Sequence, residues 1–389
     1  MNEVTATNWM RYLGFDRVPG AKGFYTDGHE RADVVAYRVE FLNKMAEYEA
    51  RMASWSGDEM ETFCRPCQSD QRRVVLVTHD EMIVHANDAT KFFWQEHGST
   101  KSIRPKSNGS SLMVSGFSCE CHGFHDGKSW HKIKPGKNRD GYWTNADLVE
   151  QLKKVIPIFE AAHPNCILLF GFDNSQNHHA KNPDALTTAH LNLKDGGASD
   201  KFPLRATVNP TTGEPQAMQL DDGVTQKGMK RILEERQCWP AGGLTVAAAK
   251  ALLDSHPDFQ ESRIWLQEVV EEAGHIMIFY PKFHCELNYI EMIWAWVKRD
   301  LRQQCTFSFP DLEARLPIAL NSVPISYFKK VSRHCFRFMD GYRSGLVGPE
   351  LDYAVRQYKG HRQIPADMIN HVKAEYAAEQ ERKRRKTAH

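Results

Sequence analysis

Residues 275–294 read His275-Ile276-Met277-Ile278-Phe279-Tyr280-Pro281-Lys282-Phe283-His284-Cys285-Glu286-Leu287-Asn288-Tyr289-Ile290-Glu291-Met292-Ile293-Trp294. The run 275–280 has the length and the β-branched, aromatic character of a buried strand. Pro281 ends it, because proline cannot donate to a sheet ladder. A helix is predicted over 287–302, which places Glu291 in its first turns, just after a strand.

Two more acids stand in comparable places upstream. The apolar run 166–172 predicts a strand that ends directly on Asp173. The run Val74-Val75-Leu76-Val77, behind Arg72-Arg73, predicts a short strand with Asp80 at its end. Carboxylates at neighbouring strand ends can hold hard cations, which prefer oxygen ligands. Two such cations about 4 Å apart stabilise the attacking and leaving oxygens of an in-line phosphoryl displacement. Unpaired carboxylates repel one another, so cations are the physical reason to gather three of them. Glu81 points away from Asp80 if the strand continues, which gives it a helper role. His178 and His179, close behind Asp173, are candidates to orient a ligand or meet a phosphate.

The remaining pattern is mixed α/β. A strand is predicted over 111–117, with a hairpin partner at 129–133. Helices are predicted over 34–52, capped by Asp33, and over 145–162, capped by Asn145 and carrying Pro157 as a point of kinking. Residues 14–28 are rich in Gly and Pro and read as irregular. From 180 to 256 periodicity weakens into a loop-rich insertion with a helix near 226–235, and a helix follows over 259–273. The expected architecture is a mixed α/β sheet flanked by helices, with the insertion before the last helix. Residues 1–70 form an N-terminal helical remnant or linker, 71–305 the catalytic domain, and 306–389 a C-terminal helical segment with a basic tail.

Bulk properties are those of an ordinary globular chain. Of 389 residues, 41% are hydrophobic and 25% charged, and no apolar run approaches the roughly eighteen residues of a membrane span. No apolar leader opens the chain, so secretion is not expected. Nine cysteines at scattered spacings fit reduced thiols rather than a disulfide framework. A net charge of +1 carries no message about partners. The cluster Arg382-Lys383-Arg384-Arg385-Lys386 is a nuclear import signal, a phosphate-binding arm or a solvated tail.

The 281–294 word resembles the third-carboxylate block of mariner-type DDE transposases. Glu286-Leu287-Asn288, Ile290-Glu291, Trp294 and Lys298 match it, while Tyr289 stands where the family has proline. Asp173-Asn174-Ser175-Gln176-Asn177-His178 resembles the second block, and Thr78-His79-Asp80-Glu81 the first. More broadly the chain is similar to fungal transposon-derived proteins in which Asp27-Gly28-His29-Glu30-Arg31 recurs. The resemblance implies a ribonuclease-H-like mixed sheet flanked by helices, with the loop-rich insertion before the last catalytic helix, and a two-metal DNA nuclease and strand transferase using Mg²⁺ or Mn²⁺. Asp80, Asp173 and Glu291 would be the catalytic and metal-binding acids, and Glu81, Asn174, His178, Glu286 and Asn288 would support them. Glu286 is the alternative third ligand; in the family that position caps the helix. DNA is the implied partner, a homodimer the candidate assembly, and the nucleus the implied location. The family's N-terminal helix-turn-helix pair is missing and the interval between Asp173 and Glu291 is long. The first departure suits a truncated copy, or a domesticated one that binds DNA without cutting it; the second fits an insertion that leaves the fold intact.

Two further groups remain. Cys64 and Cys67, with Cys119, Cys121 and His122 and with His125 close by, are candidate ligands of a structural zinc, the alternative being idle thiols. Arg72, Arg73, Lys298, Arg299 and Arg302 flank the proposed site in sequence and are candidate phosphate contacts.

Overall fold

In the computed structural model the residues described are 28–68, 70–90, 103–358, 364 and 369–387, besides isolated positions before residue 14. The Gly/Pro-rich stretch up to residue 27, with Asp27, lies outside them, as do the side chains of most of the basic tail.

The elements in chain order are α1 (Ala32–Glu49), β1 (Ser54–Ser56), β2 (Thr62–Cys64), β3 (Val74–His85), β4 (Ser111–Cys119), β5 (Trp130–Ile133), α2 (Asn145–Ala162), β6 (Ile167–Phe172), β7 (Thr207–Val208), β8 (Pro215–Gln216), α3 (Met229–Glu235), α4 (Val246–Asp254), α5 (Pro257–Gln260), α6 (Trp265–Glu272), β9 (Ile276–Phe279), α7 (Ile290–Gln303), α8 (Phe309–Asn321), α9 (Ile325–Arg343), α10 (Gly348–Gln357) and α11 (Ile369–Thr387). Strands β5-β4-β3-β6-β9 form one sheet in that order. The first three are antiparallel; β6 and β9 run parallel to β3. Three antiparallel strands followed by two parallel ones, in the order 3-2-1-4-5, give the ribonuclease-H-like sheet.

The central strand is longer than its sequence suggests. Its apolar run predicts a strand that stops near Val77 with Asp80 at its end, yet β3 continues through Asp80 and Glu81 to His85. The physical reason is a difference between its two neighbours. β4 pairs with it from Val77↔Cys119 through Asp80↔Gly116 to His85↔Ser111. β6 leaves the ladder at Thr78↔Gly171. Asp80 is therefore held in strand conformation from one side and lies beyond the parallel ladder on the other. Both faces of the strand's first half are buried, as its unbroken apolar run requires.

Each face of the sheet buries its own helices. Val75, Val77, Phe117 and Phe170 pack against Leu148, Leu152, Val155 and Phe159 of α2 and Leu266 and Val270 of α6. Leu76, Met82, Val84 and Val114 pack on the other side, where α1, α7 and the C-terminal helices share one apolar cluster. Each fully buried Leu, Val or Phe in these layers stabilises by about 1.5–3 kcal/mol.

Several caps and boundaries differ from expectation. Thr144, not Asn145, caps α2: Asp147 N–H donates to its hydroxyl and the Asp147 carboxylate accepts from its N–H, closing a capping box. Asn145 instead donates to Asn177 O at 2.8 Å, which pins the turn after β6. Asp33 lies in the first turn of α1 and makes no cap bond; Arg31 is the capping position. The helix expected over 259–273 is interrupted, because the backbone at Ile264 bridges to Lys181 and α6 starts only at Trp265. The insertion has a core of its own, built from residues including Leu204, Met218, Met229, Ile232, Leu233 and Leu253. Its buried Arg236 is paired with Asp258 at 2.7 Å, so the charge is compensated.

Candidate active site

The start of α7 is fastened to β3 by two residues. Thr78 donates its hydroxyl hydrogen to Asn288 Oδ1, and Asn288 Nδ2 donates to His79 O at 3.1 Å. Tyr280 in turn donates to the Thr78 hydroxyl at 3.1 Å. Gly171 makes that reach feasible, since a Cβ there would lie 2.7 Å from the Tyr280 oxygen. Tyr289 has φ −65°, the value proline itself would fix. Its hydroxyl donates to Ser118 O at 2.8 Å. These anchors set Glu291, in the first turn of α7, toward the carboxyl ends of the parallel strands.

The register puts Asp80 and Asp173 side by side. Thr78 is opposite Gly171, so two residues further along each chain Asp80 is level with Asp173. The electrostatics show that the three acids share one neighbourhood. Burial raises the Asp80 carboxyl well above its ordinary range, and the charges of Glu291, Glu81 and Asp173 raise it further. Burial also raises Glu291; Lys298 pulls it partly back and Asp173 pushes it up again. Asp173, Asn174, Asn288 and Glu291 line one cleft, together with Lys282 and Tyr280.

Each of the two strand acids has one oxygen fixed by a neighbour. Trp294 Nε1 donates to Asp80 Oδ2 at 2.9 Å. The indole reaches it across Gly116, the residue paired with Asp80, where any Cβ would come within 2.8 Å of the ring. Asp173 Oδ1 lies 2.6 Å from His178 Nδ1, and His178 Nε2 lies 3.4 Å from Glu81 Oε1. Burial works against a charge on His178, but these two carboxylates lift its pKa to about 10, so it is an imidazolium at neutral pH. Burial likewise raises Asp173, but the His178 bond and charge bring it below its ordinary value overall. Glu81 points to the α2 face, as its place in the strand requires, and there it holds His178. Asn174 Oδ1 accepts from His179 at 2.7 Å.

Other sequence candidates are placed elsewhere. Glu286 is neither a helix cap nor part of the acidic group. It sits in the 3₁₀ turn Cys285–Leu287, where Tyr342 of α9 donates to it at 2.8 Å and His29 Nε2 lies 3.3 Å away. His29 stacks on His284 with ring centroids 3.8 Å apart, and Arg38 bonds both Glu30 and His284. The Gly28-His29-Glu30-Arg31 motif thus contributes to a clamp behind α7. Arg72 and Arg73 precede β3, eight and seven residues before Asp80, which is roughly 25 Å along a strand. Arg72 spends its guanidinium on Cys166 O at 3.0 Å. They do not flank the acids. On α7, Lys298 acts on Glu291, Arg299 lies over the Trp296 ring, and Arg302 pairs with Asp88 at 2.9 Å.

The cysteine set also divides. Cys64, at the end of β2, faces Ser56 at 3.4 Å, and Cys67 is exposed. Neither joins Cys119 and His122. Among the described residues the donors that gather there are Cys119, His122, His125 and His163. Cys121 adjoins Cys119 but is outside that group. His163 gave no sequence signal, because it follows α2 at a spacing no ligand motif uses. The roles of Trp294, Gly116 and Tyr280 were equally silent, since an aromatic in an apolar run reads simply as core.

Sheet order and helix placement define a ribonuclease-H-like fold. Among solved structures the chain is similar to those of the mariner transposase Mos1. These include a paired-end complex with Mn (TM-score 0.46, 11% identity, spanning 92% of this chain and 71% of that one) and a pre-cleavage transpososome (TM-score 0.45, 11% identity, 92% and 70%). A paired-end complex with the left transposon end gives 0.44 at 10% identity, over 92% and 70%. No family model matches the chain, and no curated protein matches it. No described helix is long and apolar enough to cross a membrane.

Proposed function

We propose that this chain is the catalytic core of a DDE-type transposase or integrase, performing metal-dependent cleavage and strand transfer on DNA phosphodiesters. The observation that carries this reading is that Asp80 and Asp173 each lie two residues past the last rung, Thr78↔Gly171, of two adjacent parallel strands, with Glu291 close enough to raise the Asp80 carboxyl. The donor set fits hard divalent cations: it is all oxygen, and the like charges leave Asp80 protonated more readily than an isolated aspartate. Mg²⁺ or Mn²⁺, as a pair, would supply Lewis acidity for the attacking and leaving oxygens when bound by Asp80, Asp173 and Glu291.

The chain's own residues do the positioning. Trp294 fixes Asp80 Oδ2, so one oxygen of this acid is held by the protein itself. His178 fixes Asp173 Oδ1 and is itself oriented by Glu81. Asn288 and Thr78 hold the helix that carries Glu291. Catalysis in this reading is placement plus electrostatics, with no covalent enzyme intermediate. Lys298 supports a phosphate-bearing substrate, and nuclear residence through the basic tail belongs to the same reading.

The test is a nicking and strand-transfer assay on supercoiled DNA with Mg²⁺ and then Mn²⁺, beside a salt-dependent binding titration. Asp173→Asn and Glu291→Gln should each abolish cleavage while binding is kept or strengthened, because one negative charge is removed near the phosphates. An unmutated chain that binds but never cuts would replace this reading with that of a non-catalytic DNA-binding relic.

A further inference from the structure

We infer that Cys119, His122, His125 and His163 form a tetrahedral zinc site that ties the end of β4 to the C-terminal end of α2. One ligand atom from each lies within 4.8 Å of all the others. Cys119 Sγ is 3.8 Å from His122 Nδ1, 3.7 Å from His125 Nε2 and 3.4 Å from His163 Nε2. His122 Nδ1 and His163 Nε2 are 3.3 Å apart. Zinc bonds of about 2.3 Å to sulfur and about 2.0–2.1 Å to nitrogen, at tetrahedral angles, require edges of about 3.6 Å for S···N and about 3.3 Å for N···N. The observed edges fall around these values.

The backbone is shaped to deliver the ligands. Cys119 is the last residue of β4, and its N–H and C=O both pair with Gly123, so the chain turns back at once. His122 N–H donates to Cys119 Sγ at 3.3 Å, a bond that favours sulfur as thiolate. His125 and Asp126 have φ of 50° and 53°, a left-handed conformation uncommon outside glycine and most readily adopted by residues such as His, Asp and Asn. Here it turns the His125 ring onto the sulfur. His163 comes from elsewhere in the chain, as the residue that caps α2.

Hydrogen bonding alone gives a poor account of this group. Cys119 and His163 are buried, and a thiol has one proton to give, so at most one of the three ring nitrogens that converge on its sulfur can accept from it. A single cation satisfies all four. The donors are one sulfur and three nitrogens, which suit zinc and not the hard cations of the acidic site. The two sites are also on opposite faces of the sheet, because Cys119 pairs with Val77, an odd number of residues from Asp80.

The experiment is metal analysis of the full chain purified without chelator, followed by exchange with Co²⁺. One zinc per chain is expected, and the cobalt form should show thiolate-to-cobalt charge transfer, which an all-oxygen site cannot give. Cys119→Ser should remove that band. His122→Ala, at an exposed side chain, should keep the fold by circular dichroism yet weaken zinc binding by more than about 100-fold, beyond the usual loss for an outer-shell change. Cys64→Ser, Cys67→Ser and Asp173→Asn should keep full zinc. Folded protein without zinc whose melting ignores added zinc and chelator alike would overturn the inference, as would full zinc retention in His122→Ala. Cleavage activity is read separately, so failure here leaves the acidic site untouched.

Discussion

Gly116→Ala tests how Asp80 is held. A Cβ at this position would lie 2.8 Å from Trp294 Cη2, 3.3 Å from Trp294 Cζ2 and 3.2 Å from Phe124 Cε1. The Trp294 ring is buried and stacked on Phe124 at 5.4 Å and 13°, so it has no direction of easy retreat. Restoring an ordinary contact of about 3.4 Å requires a shift of about 0.6 Å, and overpacking of this kind costs about 1–3 kcal/mol. The same shift strains the 2.9 Å bond from Nε1 to Asp80, worth about 1 kcal/mol to a neutral carboxyl and up to about 3 kcal/mol to a charged one. Part of each loss is shared, so Gly116→Ala should destabilise by about 2–4 kcal/mol in urea unfolding and should slow metal-dependent nicking. Trp294→Phe removes Cη2, Cζ2 and the indole N–H together. In that background, with Phe124 Cε1 still 3.2 Å away, Gly116→Ala should cost only about 1 kcal/mol, giving a coupling energy of about 1–3 kcal/mol. Strict additivity, or a Gly116→Ala single variant as stable and active as the parent, would refute the argument that glycine is needed for the indole to reach Asp80.

His178→Gln removes the imidazolium between Asp173 and Glu81. Because the folded pKa of His178 is raised to about 10, its stabilisation is complete below about pH 6.5 and is lost as pH rises through 10. Asp173 is half exposed, so water screens one arm, and the expected difference in unfolding free energy is about 2–3 kcal/mol at pH 6. Urea titrations at pH 6, 8 and 10 should show the gap between parent and variant closing; a gap that ignores pH would sink the assignment. Glu286→Gln should cost about 1–3 kcal/mol through its bonds to Tyr342 and His29 while leaving cleavage intact. Cleavage lost from a stably folded Glu286→Gln would identify Glu286 as the third ligand after all.

The sequence by itself determined what repeats locally. The 145–162 helix is legible because Leu148, Leu152, Val155 and Phe159 recur on one face. The strands ending at Phe172 and Phe279 are legible because short apolar runs stop at Asp173 and Pro281. Those same runs bring the three acids into view, and the word around Glu291 suggests their chemistry. What tertiary structure alone decided are the contacts between residues far apart in the chain. β3 extends past Asp80 because β4 pairs with it there, a fact with no local signature in Thr78-His79-Asp80-Glu81. Glu286 looks like a helix cap until Tyr342 and His29 arrive from opposite ends of the chain. Trp294 is a core aromatic in sequence and the anchor of Asp80 in space, through a glycine nearly two hundred residues earlier. Cys64 and Cys67 have a metal-binding spacing but sit in their own hairpin, whereas His163 has no such spacing and meets Cys119. Periodicity reports how each element faces the core; which side chains then meet across layers depends on strand order and register, and one sequence read along its length does not contain them.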